Sequence, residues 1–236
     1  TRALLPVLAY VFFVAGLLAI QPDLGATVVI ASIVIGIVFL AGLSWRIIFT
    51  LGAFLVGTII ISVVLSPWRT ARVFAYLNPW DPENQIGKAY QLTHSLIAFG
   101  RGEIFGVGLG ASVEKMHYLP EAHTDFILAV IGEECGLLGF TVVLALFYWL
   151  VRSAFEIGRQ AVRLDMVYAG LVAQGVGLWI GVQALINIGV AIGVFPTKGL
   201  TLPLVSYGGS SLVITLCALS VSYTHLRAHE TGRNLV

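Results

Sequence analysis

Six long apolar runs, joined by connectors of very unequal length, constrain this chain more than any other feature. They occupy residues 4–20, about 25–43, about 47–65, about 126–151, about 166–194 and about 204–221. Roughly 20 apolar residues in a helix cross the ~30 Å of bilayer hydrocarbon. Each run can supply such a span, the first only by borrowing flanking residues. Only 11% of the 236 residues are charged and 58% are hydrophobic, with a mean hydropathy of +0.95. A soluble domain carries about 25% charge. The reading is an all-α polytopic membrane protein with about six transmembrane helices and one long extracytoplasmic loop.

Charge narrows the function classes. The net charge is +1 and the thirteen Lys and Arg are scattered, so nothing argues for nucleic acid. Cys135 and Cys217 both lie in apolar runs, with no metal-ligand spacing and no disulfide framework. Alternating spans place Arg46, Arg152, Arg159 and Arg163 on one side, with Arg2 and the tail, and Asp23 and Lys198 on the other. The positive-inside rule makes the first set cytoplasmic. The loop at 66–124 then faces outward.

That loop holds Pro67, Pro79, Pro82 and Pro120 and six glycines. Loops of this length are functional or disordered, and its apolar and aromatic content argues for order. A short helix is expected over 91–99, with the loop folding back on the membrane face. Ala169, Gly170, Gly175, Gly177 and Gly181 in the fifth span read as a close-packing face. The run at 4–20 reads as a true span in a chain whose beginning lies further upstream.

The informative charges sit at membrane boundaries. Glu121, His123 and Asp125 alternate just before an apolar helix, and Glu133 and Glu134 fall about two turns inside it. Carboxylates at membrane depth are costly and mark a cavity or a partner. Thr124 or Asp125 could instead be a helix N-cap, which would leave the other charges unexplained. A helix N-terminus facing an outer cavity also favours a phosphate. Near the end of the chain, two prolines and two glycine clusters break the helices around Lys198. Broken backbone at that depth must line protein or water. Lys198 is a natural partner for a pyrophosphate or for Asp125, or else a snorkelling lysine. The loop adds Arg69, Arg72, Gln91, His94, Arg101, Glu114 and Lys115. Its Gly106-Val-Gly108-Leu-Gly110 lacks the strand and helix of a nucleotide loop and reads as a turned lid segment.

Six motifs carry a family resemblance: QPDLG (21–25), LNPWDPE (77–83), AYQLTHSLIAFGRG (89–102), FGVGLG (105–110), YLPEAHTDFILAVIGEE (118–134) and NIGVAIGVFPTKGLTLPLVSYGGSS (187–211). From the first residues to about Ser220 the chain resembles the SEDS proteins of shape, elongation, division and sporulation. The form of YLPEAHTDFI is closest to the cell-division type. The resemblance implies a peptidoglycan glycosyltransferase that polymerises lipid II on the outer face of the bacterial cytoplasmic membrane and releases undecaprenyl pyrophosphate. It also implies a class B penicillin-binding transpeptidase and other divisome or elongasome membrane proteins as partners. The six spans resemble the last six of ten helices, so this portion alone is expected to be inactive.

Carried over residue by residue, the resemblance makes Asp125 the catalytic carboxylate. By charge and position rather than by the resemblance, Lys198, Arg72, Arg101, Ser206 and Ser210 are candidates for binding substrate pyrophosphate. On the same grounds Glu121, His123, Glu133, Glu134, Lys115 and Gln91 are supporting residues. A divalent cation, Mg²⁺ or Mn²⁺, would be held through Asp125 and the substrate, since no self-sufficient metal cage is present; no organic cofactor is implied. A lipid II flippase and a non-catalytic scaffold for the transpeptidase are the alternatives. A transporter site belongs at the midplane between repeats, whereas Asp125 lies at the outer edge and no clear repeat is visible. A scaffold would be indifferent to replacement of Asp125. Residues 1–221 read as the SEDS region, and 222–236 as an atypical polar tail of non-native look.

Overall fold

A computed structural model of the chain describes residues 24–233, and every described regular element is helical. The chain divides at Leu65 into two units. In the first, α1 (Leu24–Leu40) and α2 (Trp45–Val64) are joined by a turn at Gly42, whose φ of +85° suits glycine. The Trp45 ring sits 4.9 Å from that of Phe39, beside the turn. No residue of α2 is buried, as expected of a helix apolar on every side and solvated by lipid.

The second unit begins with three short helices in the long loop: α3 (Pro67–Leu77), α4 (Pro82–Ile86) and α5 (Tyr90–Gly102). Pro67 and Pro82 stand in the first turn, where the missing N–H is no loss. Asp81 caps α4 by accepting from the Glu83 N–H at 3.2 Å. The helix expected over 91–99 is α5. A π-type turn at Glu114–Tyr118 follows. Three long helices complete the unit: α6 (Ile127–Arg163), α7 (Val167–Ala191) and α8 (Gly209–Arg233).

The hairpin of α6 and α7 is the main packing surface, and small residues make it possible. A Cβ on Gly158 would lie 2.8 Å from the Gly170 carbonyl oxygen, and one on Gly177 would lie 2.9 Å from the Ala154 Cβ. Between helices in lipid, such close approach supplies dispersion contacts in place of a hydrophobic driving force. Phe126, Leu128, Ile180 and Leu202 are essentially fully buried, so the core reaches from these helices up to the segments before α6 and after α7.

The expectation of about six membrane-crossing helices is not met. Among the described residues three are long and apolar enough: α2 with 20 residues, α6 with 37 and α7 with 25. Apolar runs are not the same as helices. Gly42 ends α1 at Leu40, with 17 of its residues described. The last run loses its start to Pro203 and the Gly208-Gly209 pair, so the apolar part of α8 covers only Gly209–Ser222. Conversely, α6 continues twelve residues past its apolar run, with Arg152 Nε 2.8 Å from Glu156 Oε1 one turn on. The run at 4–20 lies outside the described residues. Helix α8 crosses the 221/222 boundary without interruption.

Candidate active site

Helix α6 is broken at Gly136, where φ is +66° and ψ is −163°. The break frees backbone groups, and the loop after α5 takes them. The Val107 and Gly108 N–H groups donate to the carbonyls of Glu133 and Glu134 at 3.0 and 3.1 Å. The Leu137 and Leu138 N–H groups donate to Glu103 and Ile104 at 2.9 and 3.1 Å. Approach this close demands glycine: a Cβ on Gly106 would lie 2.1 Å from the Glu134 oxygen. The FGVGLG segment is therefore a piece of backbone docked into a broken helix.

Just beside the break the two internal carboxylates are consumed by structure. Glu133 is fully buried. It accepts from the Ser112 hydroxyl at 2.5 Å and from the N–H groups of Val113 and Glu114 at 3.1 and 3.3 Å, with Arg101 at 3.7 Å. Glu134 pairs with the Lys115 ammonium. Glu114 in turn meets His94 Nδ1 at 2.7 Å. Buried polar side chains are tolerated in such surroundings because they are paired and hydrogen-bonded. Together these contacts pin residues 112–115 to α5 and α6.

Asp125 is placed quite differently. It lies in a run of turns between the π-type turn and α6, not on the helix itself. The N-cap is Phe126, with no side-chain bond, and the Thr124 hydroxyl donates to Glu121 Oε2 at 2.6 Å, so neither Thr124 nor Asp125 caps α6. Three consecutive carbonyls here, those of His123, Thr124 and Asp125, accept from the C-terminal motif. Their donors are the Tyr207 N–H at 2.9 Å, the Ser206 hydroxyl at 2.6 Å and the Asn187 amide at 2.8 Å. The HTD segment and the 197–208 loop thus form one seam. Gly199 lies against the carboxylate, since a Cβ there would sit 3.3 Å from Asp125 Oδ2. Partial burial raises the Asp125 pKa above the ordinary aspartate value, and the charge of Glu121 raises it further. Among the described residues no hydrogen bond or ion pair reaches the carboxylate.

The structure therefore sorts the residues read from sequence. Asp125, Glu121, His123, Ser206 and the Lys198–Gly199 step converge at the seam. The Ser206 hydroxyl is engaged twice there, since it also accepts from the Leu202 N–H at 2.7 Å. Glu133, Glu134, Lys115 and Arg101 form the separate cluster by the break. Gln91 is half-buried on α5, Arg72 stacks with its guanidinium 5.4 Å from the Trp68 ring centre, and Ser210 is exposed at the start of α8. Among the described residues no three His, Cys, Asp or Glu side chains converge to hold a metal. Two amides were missed in the sequence reading. Gln183 donates to the Thr201 carbonyl at 2.9 Å, and Asn187, one turn on, donates to Leu200 at 2.5 Å. The available signal was two amides four residues apart in an otherwise apolar helix.

Known proteins resemble this chain in sequence and in fold. A protein of Thiomonas intermedia named a probable peptidoglycan glycosyltransferase FtsW is 58% identical over 220 residues, covering 93% of this chain and 54% of that protein. Its Burkholderia thailandensis counterpart is 60% identical, covering 93% and 48%. The chain thus spans about half the length of the curated relatives it matches. Among solved structures, a chain from a peptidoglycan synthase complex that coordinates polymerization and crosslinking aligns with a TM-score of 0.69 at 32% identity, covering 91% of this chain and 59% of that one. The rod shape determining protein RodA of Thermus thermophilus aligns at 0.62 and 29%, covering 94% and 55%. The pattern of the cell cycle protein family of FtsW, RodA and SpoVE matches residues 1–230. The chain belongs to that family of multi-pass cytoplasmic-membrane proteins, and its high-identity relatives are of the cell-division, FtsW kind.

Proposed function

We propose that this chain carries the catalytic carboxylate of a peptidoglycan glycosyltransferase that polymerises lipid II outside the cytoplasmic membrane. The observation that carries the reading is Asp125: its backbone is fixed by the seam while its carboxylate is left for chemistry. Chain growth needs the 4-hydroxyl of a GlcNAc to attack the anomeric carbon of a MurNAc. Asp125 accepts the hydroxyl proton as the new C–O bond forms, and the bond to undecaprenyl pyrophosphate breaks with its electron pair leaving on the phosphate. A positioned general base is typically worth about 10²–10⁴-fold. Its raised pKa makes it a stronger base than an ordinary aspartate. The leaving group is already activated, so one carboxylate suffices where a glycosidase uses two.

Lys198, next to the glycine at the carboxylate, is the cation best placed along the chain to meet the departing pyrophosphate. Arg72 and Ser210 remain further candidates, while Arg101 faces Glu133. A divalent cation, Mg²⁺ or Mn²⁺, fits here only when shared with substrate, because Asp125 and Glu121 offer hard oxygens but no cage. Bound, it would neutralise phosphate charge. The likeness to a complex that couples polymerization to crosslinking supports a transpeptidase of the class B penicillin-binding type as partner, within the divisome. The test is polymerisation of lipid II by the natural full-length protein with its transpeptidase. Glycan strands and released undecaprenyl pyrophosphate are expected, with Lys198→Ala slower by on the order of tenfold. A wild-type protein that makes no polymer, but moves lipid II across vesicles, would overturn the reading.

A further inference from the structure

We propose that Asn187 is a positioning residue for Asp125, an inference that rests on the catalytic reading of that carboxylate. Asn187 is 1% exposed, near the C-terminal end of α7. Its Nδ2 donates both to the Asp125 carbonyl at 2.8 Å and to the Leu200 carbonyl at 2.5 Å. These acceptors come from segments 75 residues apart, one holding the carboxylate and the other holding Gly199, on which a Cβ would lie 3.3 Å from Asp125 Oδ2. One amide therefore ties the Asp125 backbone itself to the segment that carries the Lys198–Gly199 step.

The chemistry requires an amide. Both partners are carbonyl oxygens, so only an NH₂ group with two donors serves them at once. The orientation is fixed for the same reason, because a flipped amide would set oxygen against oxygen. Gln183, one turn earlier, makes the same kind of bond to Thr201, so α7 holds consecutive carbonyls of the loop from one face. Ser206 holds the Thr124 carbonyl independently, which keeps the seam closed when Asn187 is altered. The Asn187 Oδ1 is buried with no hydrogen-bond partner among the described residues. Such an acceptor is costly to keep, which fits a residue retained for its two donors.

Displacement by about 1 Å of a group that acts in the transition state costs about 10²-fold. The experiment measures kcat and KM for lipid II with the natural full-length protein and its transpeptidase, per folded molecule, for Asn187→Asp and Asn187→Leu. Both keep the side chain's approximate shape and remove the paired donors. We expect kcat lower by about 10²-fold with KM within about twofold of wild type, because substrate binding does not pass through this amide. If the leucine variant does not accumulate, Asn187→Ser, which is smaller, is measured instead, with the same expectation. Wild-type kcat in a folded Asp, Leu or Ser variant overturns the proposal, as does loss of activity that tracks only the folded fraction. Asp125→Asn is run alongside. If it remains active, the catalytic reading falls and this inference with it. If it is inactive while the Asn187 variants turn over normally, only this inference falls.

Discussion

Glu133 and Asp125 are eight residues apart, on either side of the start of one helix, and they have opposite fates. Glu133 is fully buried and spends its oxygens on a hydroxyl, two N–H groups and a nearby guanidinium. Asp125 is half-buried, its backbone is clamped, and its carboxylate faces the Lys198–Gly199 step with its basicity raised. A carboxylate surrounded by donors holds structure, whereas one denied donors while its backbone is fixed keeps its proton affinity for a substrate. Acidic character near a membrane interface does not distinguish the two; the partners do.

Breaking the structural side should have the largest effect on stability. Gly136→Ala would place a Cβ 2.4 Å from the Gly106 nitrogen at a positive φ. We expect a loss of about 4 kcal/mol, combining backbone strain and overpacking, seen as failure to accumulate or a collapsed Tm in detergent. A variant as stable as wild type would mean that residues 103–108 do not dock at the break. Next comes Glu133→Ala, which leaves the Ser112 hydroxyl and two N–H groups without their acceptor. A loss of about 3 kcal/mol is expected. Asp125→Asn should behave oppositely. A carboxyl whose folded pKa is raised costs stability above that pKa and ceases to do so once protonated as pH falls, so removing the charge should leave Tm at neutral pH unchanged or higher. A clear drop in Tm would place Asp125 with the structural carboxylates.

The smallest effect sharpens the catalytic side. A general base acts deprotonated, so the rate should rise with pH through the raised Asp125 pKa. Burial is the larger cause of that shift and Glu121 the smaller. Glu121→Gln should therefore move the acidic limb of the pH–rate profile to lower pH, leaving it above the ordinary aspartate range. A limb that stays in place, or moves up, would remove Glu121 from the electrostatics of the site.

Much of this was legible in the sequence, for identifiable reasons. Asp125 stood out because a charge at a membrane boundary has few innocent explanations, and the packing glycines of α7 stood out as small residues gathered in one apolar span. The helix count was not legible, because Gly42, Pro203 and the Gly208-Gly209 pair shorten helices inside runs that stay apolar. The break at Gly136 was hidden for the same reason, since one glycine among the Gly132–Gly139 set reads as packing until its φ is known. Asn187 and Ser206 were out of reach as positioning groups, because their acceptors are backbone carbonyls 62 and 82 residues away. Side-chain patterning does not encode such partners.

The most direct measurement sets the two carboxylates side by side: lipid II polymerisation by the natural full-length protein with its transpeptidase, per folded molecule, for Asp125→Asn and Glu133→Gln. Asp125→Asn keeps the size and removes the base, so the rate should fall by about 10²–10⁴-fold. Glu133→Gln should cost folded protein while leaving turnover of what folds at the wild-type order. Near-wild-type polymerisation by Asp125→Asn, with turnover lost in Glu133→Gln or Glu121→Gln, would show that the wrong carboxylate carries the chemistry.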